Sequence, residues 1–152
     1  AISAADEAAV SRAMVRADVA GLAQRAATSL SAGERARALL ARALAVEAEV
    51  LLADEPTAAL DPLHQLQVMG LLRDLAREGR LVVVVLHDLA LAARYCDRLL
   101  LMKGGQILAA GDPAAVLTRG TLAEAYGVEA YFGQHQGQPI VLPWREVEAR
   151  EP

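Results

Sequence analysis

The sequence contains few of the residues that cross-link, stack or anchor a protein. Cys96 is its one cysteine, so no disulfide can form within the chain, which is typical of a reducing compartment. Aromatic residues make up only 3%, so the core has to be built from Ala, Leu and Val, and Cys96 is expected to pack as a small buried hydrophobe. The longest purely apolar run, residues 81–86, is far shorter than the ~20 residues that span a bilayer.

An excess of positive charge is also absent, since the formal net charge is −4. This argues against a nucleic-acid surface, and no nucleic-acid partner is expected. Hydrophobic residues make up 55% of 152 residues, which is enough for a folded domain with a core. The first ten residues lack the positive start and apolar run of a signal peptide. The chain begins without methionine, and we expect it to be a fragment of a longer protein.

The hydrophobic pattern predicts alternating helices and strands. Short apolar runs at residues 50–53 and 81–86 predict strands buried on both faces. Helical spacing predicts helices at 6–17, 32–46 and 62–78, the last with a buried stripe of Leu66, Met69, Leu72 and Leu75 or Ala76. Residues 99–111 predict a hairpin that turns at residues 103–105, followed by short helices and one or two strands. This order predicts an α/β fold whose parallel sheet is covered by helices.

Two adjacent carboxylates, Asp54 and Glu55, follow the first predicted strand. Ligands of open α/β sheets bind at the carboxyl ends of the strands. One carboxylate at that edge can hold Mg²⁺, which prefers few carboxylates together with phosphate and water, while the other activates a water. An isolated Asp-Glu pair is more often a solvated loop. His87 follows the second predicted strand, and parallel neighbours would place it beside Glu55.

The stretch "LSAGERARALLARAL", residues 30–44, predicts a helix with a capped N-terminus. Ser31 and Glu34 have the spacing of a capping box. A helix N-terminus binds anions through its free N–H groups, and Gly33 would let a phosphate approach the backbone. Alone, this is also the pattern of an ordinary capped helix.

Taken together, "LSAGE", "VLLADE", "ALD" and "LHD" resemble the ATP-binding subunits of ABC transporters. "LSAGE" is similar to the signature motif, with Ala32 in place of a glycine, "VLLADE" to Walker B, residues 59–61 to the D-loop, and "LHD" to the switch histidine. The resemblance implies a P-loop NTPase-like sheet, present in part. Residues 1–46 would be the signature-helix part of the helical subdomain, and residues 47–152 the C-terminal part of the ATPase core. The tail is similar to importers of iron complexes, heme or cobalamin.

The resemblance also implies roles and partners. Asp54 would hold Mg²⁺, Glu55 would be the catalytic base, and His87 would contact the γ-phosphate. Asp61 would bridge two ATPase subunits of a homodimer. Residues of the signature would touch ATP bound on the partner subunit: Ser31, Ala32, Gly33 and Glu34. The cofactors would be ATP and Mg²⁺, and the subunit would lie against membrane permease subunits on the cytoplasmic face of the inner membrane.

The sequence departs from this family in one respect, because the P-loop motif G-x-x-x-x-G-K-[S/T] does not occur in it. The P-loop backbone and lysine cradle the β/γ-phosphates in such enzymes. We therefore predict that the isolated chain is inactive. The alternative is a non-catalytic truncated module that keeps only the dimer and permease contacts. A DNA-directed ATPase is disfavoured by the charge. Four residues are expected to be surface or packing residues: Met102, Trp144, His64 and His135.

Overall fold

The computed structural model describes residues 2–58 and 60–147, and these divide into two compact units, one up to Leu86 and one from His87 onward. The first unit contains α1 (Ala4–Arg16), α2 (Ala32–Leu44), β1 (Val50–Asp54), α3 (Pro62–Arg77) and β2 (Leu81–Val85). The second contains α4 (Leu89–Tyr95), β3 (Leu99–Lys103), β4 (Gln106–Gly111), α5 (Pro113–Val116), α6 (Arg119–Tyr126), β5 (Val128–His135) and β6 (Gln138–Glu146). The predicted boundary after residue 46 concerns a subdomain of the family fold and stays a prediction.

Helix starts in the first unit follow the caps that the sequence contains. Ser3 caps α1 and Ser31 caps α2, each in a complete capping box, and Asp61 caps α3 with Pro62 in its first turn. The end of α1 packs against α2 through a small apolar cluster of Ala17, Val19 and Ala41, with Met14 and Leu22 at its side. Small side chains bring these two helices close, as the scarcity of aromatic residues predicts.

The two strands of the first unit form a parallel pair in which Val50 lies opposite Leu81 and Asp54 opposite Val85. The predicted parallel pairing is confirmed, but the prediction that both faces are buried is wrong. Exposure alternates along each strand, and the exposed apolar side chains are Val50, Leu52, Leu81, Val83 and Val85. Helix α3 packs against β2, and within residues 2–58 and 60–86 the sheet has one partly covered face.

Helix α3 buries a stripe that differs from the predicted one at its start. Met69, Leu72 and Leu75 are buried as predicted, but Leu66 is 41% exposed and Val68 is buried in its place. Residues 68, 72 and 75 share one helical face, so the buried stripe is rotated from the predicted one.

The second unit is built around two antiparallel hairpins. β3 pairs with β4 through a turn at Gly104 and Gly105, whose φ angles are 56° and 78°, so the predicted hairpin is confirmed. β5 pairs with β6 through Gln136 and Gly137. The core is an apolar cluster contributed by helices and strands: Leu89, Ala93, Leu117, Leu122 and Val141, flanked by Leu99, Val128, Ala130 and Phe132.

Two further features bear on the composition. Cys96 is partly buried, and burial raises the pKa of its thiol, with Asp97 adding a smaller effect in the same direction. None of the helices in the described part of the chain combines the length and the apolarity that a bilayer crossing requires.

Candidate functional site

The acid pair lies at the carboxyl end of β1, at the edge where β1 and β2 finish together. Asp54 is the last residue of β1 and pairs with Val85, the last residue of β2. The strand alternation puts Asp54 on the exposed sheet face with Leu52. Glu55 follows in the left-handed conformation, with φ of 45°, and its N–H donates to the Val85 carbonyl at 3.2 Å. Such a backbone is uncommon for a non-glycine residue and often marks a functional position.

The loop that leaves Glu55 is anchored at several points before α3 begins. Thr57 and Leu60 are buried, at 7% and 8% exposure. The N–H of Ala58 donates to the Glu55 carbonyl, and the N–H of Leu60 to the Thr57 carbonyl, both at 3.2 Å. Gln65 Nε2 donates to the Thr57 carbonyl at 3.2 Å. The predicted D-loop starts at Ala59, which lies outside the described residues, so this loop is described at Leu60 and Asp61.

Asp61 ends the loop and has both carboxylate oxygens engaged. Oδ1 accepts from the His64 N–H at 3.0 Å, and Oδ2 lies 2.7 Å from His64 Nδ1. The backbone N–H of His64 lowers the pKa of Asp61 most, and the imidazole contact adds to the effect. His64, expected from the sequence to be a surface or packing residue, makes this contact at the surface, with 25% of its side chain exposed. The spacing D-x-x-H at a helix start is the signal that could have revealed this contact.

The N-terminus of α2 has the predicted cap and one partner that the sequence did not reveal. Ser31 Oγ accepts from the Glu34 N–H at 3.2 Å, and the Ser31 N–H donates to Glu34 Oε2 at 2.8 Å. Arg25 Nη1 donates to Glu34 Oε1 at 2.9 Å. The Ser31 N–H lowers the pKa of Glu34 most, and Arg25 lowers it further.

The capping box leaves the first two helical N–H groups of α2 outside it, those of Ala32 and Gly33. Those two groups and the helix dipole favour an anion at this position. The carboxylate of Glu34 would repel an anion, but its salt bridge with Arg25 offsets part of that charge. The arrangement is therefore compatible with a phosphate approaching Ala32 and Gly33.

His87 opens the second unit and directly precedes Asp88, the cap of α4. Asp88 Oδ1 accepts from the Leu91 N–H at 2.9 Å, which fixes the start of that helix. The His87 side chain is exposed. His87 and Glu55 belong to different units, so the placement of the imidazole beside the acid pair stays a prediction.

Arg37 is a feature of α2 that the sequence did not reveal. It is 9% exposed and lies on the same helical stripe as the buried Ala41 and Leu44. Its Nε has no hydrogen-bond partner among the described residues. A buried polar atom without a hydrogen-bond partner is costly, so the Nε of Arg37 lowers the stability of α2 locally.

The donors at the end of β1 suit Mg²⁺ better than a metal held by protein ligands alone. Across residues 2–58 and 60–147, no group of three or more histidine, cysteine or acidic side chains could hold a metal ion. Mg²⁺ commonly takes one or two carboxylates and completes its shell with phosphate oxygens and water. Asp54, exposed at the end of its strand, fits that requirement.

Comparison with known families identifies a relationship that covers the site. The family model described as ABC transporter matches residues 3–58. The hemin import ATP-binding protein HmuV of Streptomyces coelicolor is 54% identical over 142 residues, which are 92% of this chain and 51% of the relative. This chain thus spans about half the length of that relative.

Solved structures give the same relationship at the level of the fold. An ABC transporter of metal-chelate type in an inward-facing conformation matches with a TM-score of 0.82 and 29% identity, over 94% of this chain and 59% of the other. A dimeric ATP-binding cassette, bound to ADP and Pi in a post-hydrolysis state, matches with a TM-score of 0.66 and 31% identity, over 74% of this chain and 50% of the other. The predicted α/β fold of an ATPase cassette is therefore confirmed.

Proposed function

We propose that this chain, which is similar to members of the ABC transporter family, is the part of an importer's ATP-hydrolysing subunit that carries the signature helix, the acid pair and the switch histidine. The observation that supports this most is the acid pair at the end of β1. Glu55 has a left-handed backbone there, and its loop is anchored up to Asp61. An anchored loop holds catalytic groups in place before the substrate arrives.

Glu55 is proposed as the general base and Asp54 as the group that holds Mg²⁺. A base has to lie within hydrogen-bond reach of the water from which it takes a proton, and the exposed Glu55 side chain is accessible to water. Mg²⁺, when bound with ATP, would neutralise charge that develops on the phosphates. His87, following β2, is proposed to contact the terminal phosphate beside Glu55.

The N-terminus of α2 is proposed to face ATP held by a second ATPase subunit. Ser31, through its hydroxyl, and Ala32 and Gly33, through their N–H groups, would donate to phosphate oxygens. Glu34 would fix the start of the helix through its bonds to Ser31 and Arg25. Ala32 supplies the same backbone N–H as the glycine of the family signature.

The transported solute is proposed to be a metal chelate such as hemin, an iron–siderophore complex or cobalamin. The relative from Streptomyces coelicolor is named for hemin import, and the matched inward-facing transporter is of metal-chelate type. The partners would be a second copy of the ATPase subunit and the membrane permease subunits, on the cytoplasmic face of the membrane. The 152 residues alone contain no P-loop motif, and we expect negligible binding of Mg-ATP in a calorimetric titration of this chain.

The test of this function is Glu55→Gln in a protein that joins the upstream half of the Streptomyces coelicolor relative to these 152 residues. We expect ATP turnover to fall at least about a hundredfold, while ATP still holds two subunits together. Glu49→Gln is the matched control, because Glu49 is exposed just before the other end of β1. Normal turnover in the Glu55 variant would refute the assignment of the base.

A further inference from the structure

We propose that His64 is a positioning residue for Asp61: its imidazole fixes the carboxylate in the orientation that faces a second subunit. This inference rests on the proposed function, in which Asp61 lies at the contact between two ATPase subunits. It concerns a residue that does not itself touch ATP and that acts through Asp61.

The contact has one chemically consistent reading. The pKa of Asp61 is lowered, so its carboxylate is ionised near neutral pH and can only accept hydrogen bonds. Nδ1 of His64, at 2.7 Å from Oδ2, must therefore carry the proton and donate it. The His64 N–H holds the other oxygen at 3.0 Å. Two donors from one residue thus fix both the position and the plane of the carboxylate.

The orientation leaves Asp61 available to a second partner. A carboxylate offers about four acceptor sites, and the His64 contacts use two of them. The Asp61 side chain is 58% exposed, whereas the His64 side chain is 25% exposed. The imidazole is therefore sheltered behind a carboxylate that still faces outward.

The backbone on both sides of the Asp61–His64 contact is anchored. His64 lies in the first turn of α3, and the next residue, Gln65, binds the Thr57 carbonyl of the preceding loop. Leu60, immediately before Asp61, is buried. Neither partner of the Asp61–His64 contact can move far without disturbing the loop that begins at Glu55.

A merely structural role for His64, in starting α3, predicts different results from a positioning role. The amide nitrogen of asparagine stands the same number of bonds from Cβ as Nδ1 of histidine, whereas that of glutamine stands one bond further. Helix propensity ranks Gln above Asn, and Gln in the third position of a helix also suits a capping box. The structural role therefore favours His64→Gln, and the positioning role favours His64→Asn.

The first experiment follows the carboxyl carbon of Asp61 by NMR during a pH titration of the 152-residue chain. We expect His64→Asn to raise the pKa of Asp61 least, because asparagine keeps the donor but not the charge of the imidazole. His64→Gln and His64→Ala should raise it toward the ordinary value of 3.8. The rise should be partial, because the backbone N–H at position 64 remains. An unchanged pKa in all three variants, or a Gln variant closest to wild type, overturns the proposal.

The second experiment measures ATP turnover in the joined protein described above. We expect His64→Ala and His64→Gln to lower ATP turnover about tenfold or more, as displacement of a positioned group does. ATP turnover of His64→Asn should stay within about twofold of the wild type. If Asp61→Ala lowers turnover and the His64 series does not, positioning by His64 is refuted while the proposed function stands. If the unsubstituted joined protein fails to hydrolyse ATP, the proposed function fails, and this inference fails with it.

Discussion

The backbone N–H of Glu55 donates to the carbonyl of Val85 at 3.2 Å. This bond continues the pairing of β1 and β2 by one residue beyond Asp54. The acid pair and the strand that leads to His87 therefore end at the same edge of the sheet. In parallel sheets that edge is where ligands bind, and the proposed chemistry depends on this geometry.

Ser31→Ala should destabilise the chain by about 1 kcal/mol, because it removes the oxygen that caps α2. Ser11→Ala is the control, since Ser11 is exposed within α1 and its replacement should change stability by less than about 0.5 kcal/mol. Urea unfolding followed by circular dichroism measures both. Equal effects at the two positions would show that the cap adds no stability.

Arg37→Met should leave the free energy of unfolding unchanged or raise it. Methionine keeps an unbranched apolar stem and removes a buried cation whose Nε lacks a partner among the described residues. Replacing a buried charge by an apolar side chain is often neutral or stabilising. Arg42→Met, at an exposed position of the same helix, is the control. A loss above about 2 kcal/mol at position 37 alone, well beyond a typical surface effect, would contradict this reading.

Gly133→Ala should be less favourable than alanine for glycine usually is within a strand, because a Cβ at residue 133 would lie 2.8 Å from Cε1 of Tyr131. The ring has to move, and its contact with the strand is lost. In a Tyr131→Ala background the same change should cost no free energy of unfolding. The coupling free energy between residues 131 and 133 should be about 0.5 to 3 kcal/mol. Gly120→Ala is the control, since a Cβ at residue 120 would lie no closer than 3.9 Å to a neighbouring atom, Thr118 Oγ1. Additive effects at residues 131 and 133 would refute the clash.

Stability should fall in acid, from about pH 4.5 downward. The pKa is lowered in the folded chain for a set of carboxylates: Asp6, Glu34, Glu47, Asp61, Glu78 and Glu129. Groups with a depressed pKa stabilise the fold above their ordinary values, 3.8 for Asp and 4.5 for Glu. That contribution is lost as the pH falls through the folded values.

Thermal unfolding between pH 7 and pH 3 measures this loss. Salt should reduce this loss of stability for the arginine-paired carboxylates Glu34, Glu47, Glu78 and Glu129, because exposed ion pairs are screened. Glu78→Gln should make the fall in melting temperature with decreasing pH less steep. A melting temperature that is constant from pH 5 to pH 3 would contradict the account.

Local signals in the sequence predicted local structure well. The capping box at Ser31 and Glu34 predicted the start of α2, and the glycines at 104 and 105 predicted a hairpin turn, because each depends on a few neighbouring residues. The acid pair was placed correctly at a strand end for the same reason.

Burial and long-range partners could not be read from the sequence. The exposure of Leu52 and Leu66 depends on which layers cover the sheet and the helix. A run of apolar residues does not show which other elements pack against it. The partner of Glu34, Arg25, lies nine residues away across a connector with no periodic pattern. An arginine is expected to be exposed, but Arg37 is buried because it lies on a helical stripe that is otherwise apolar.

The placement of Glu55 beside His87 is tested most directly by cysteine cross-linking in the 152-residue chain. Cys96 is the one native cysteine, so a Cys96→Ser background leaves the introduced pair as the only thiols. We predict that Glu55→Cys with His87→Cys is joined rapidly by a short bismaleimide. Glu49→Cys with His87→Cys should not be joined, because β1 separates residues 49 and 55 by about 20 Å at ~3.3 Å per residue. Equal cross-linking of the two pairs, or none for residues 55 and 87, would contradict the account.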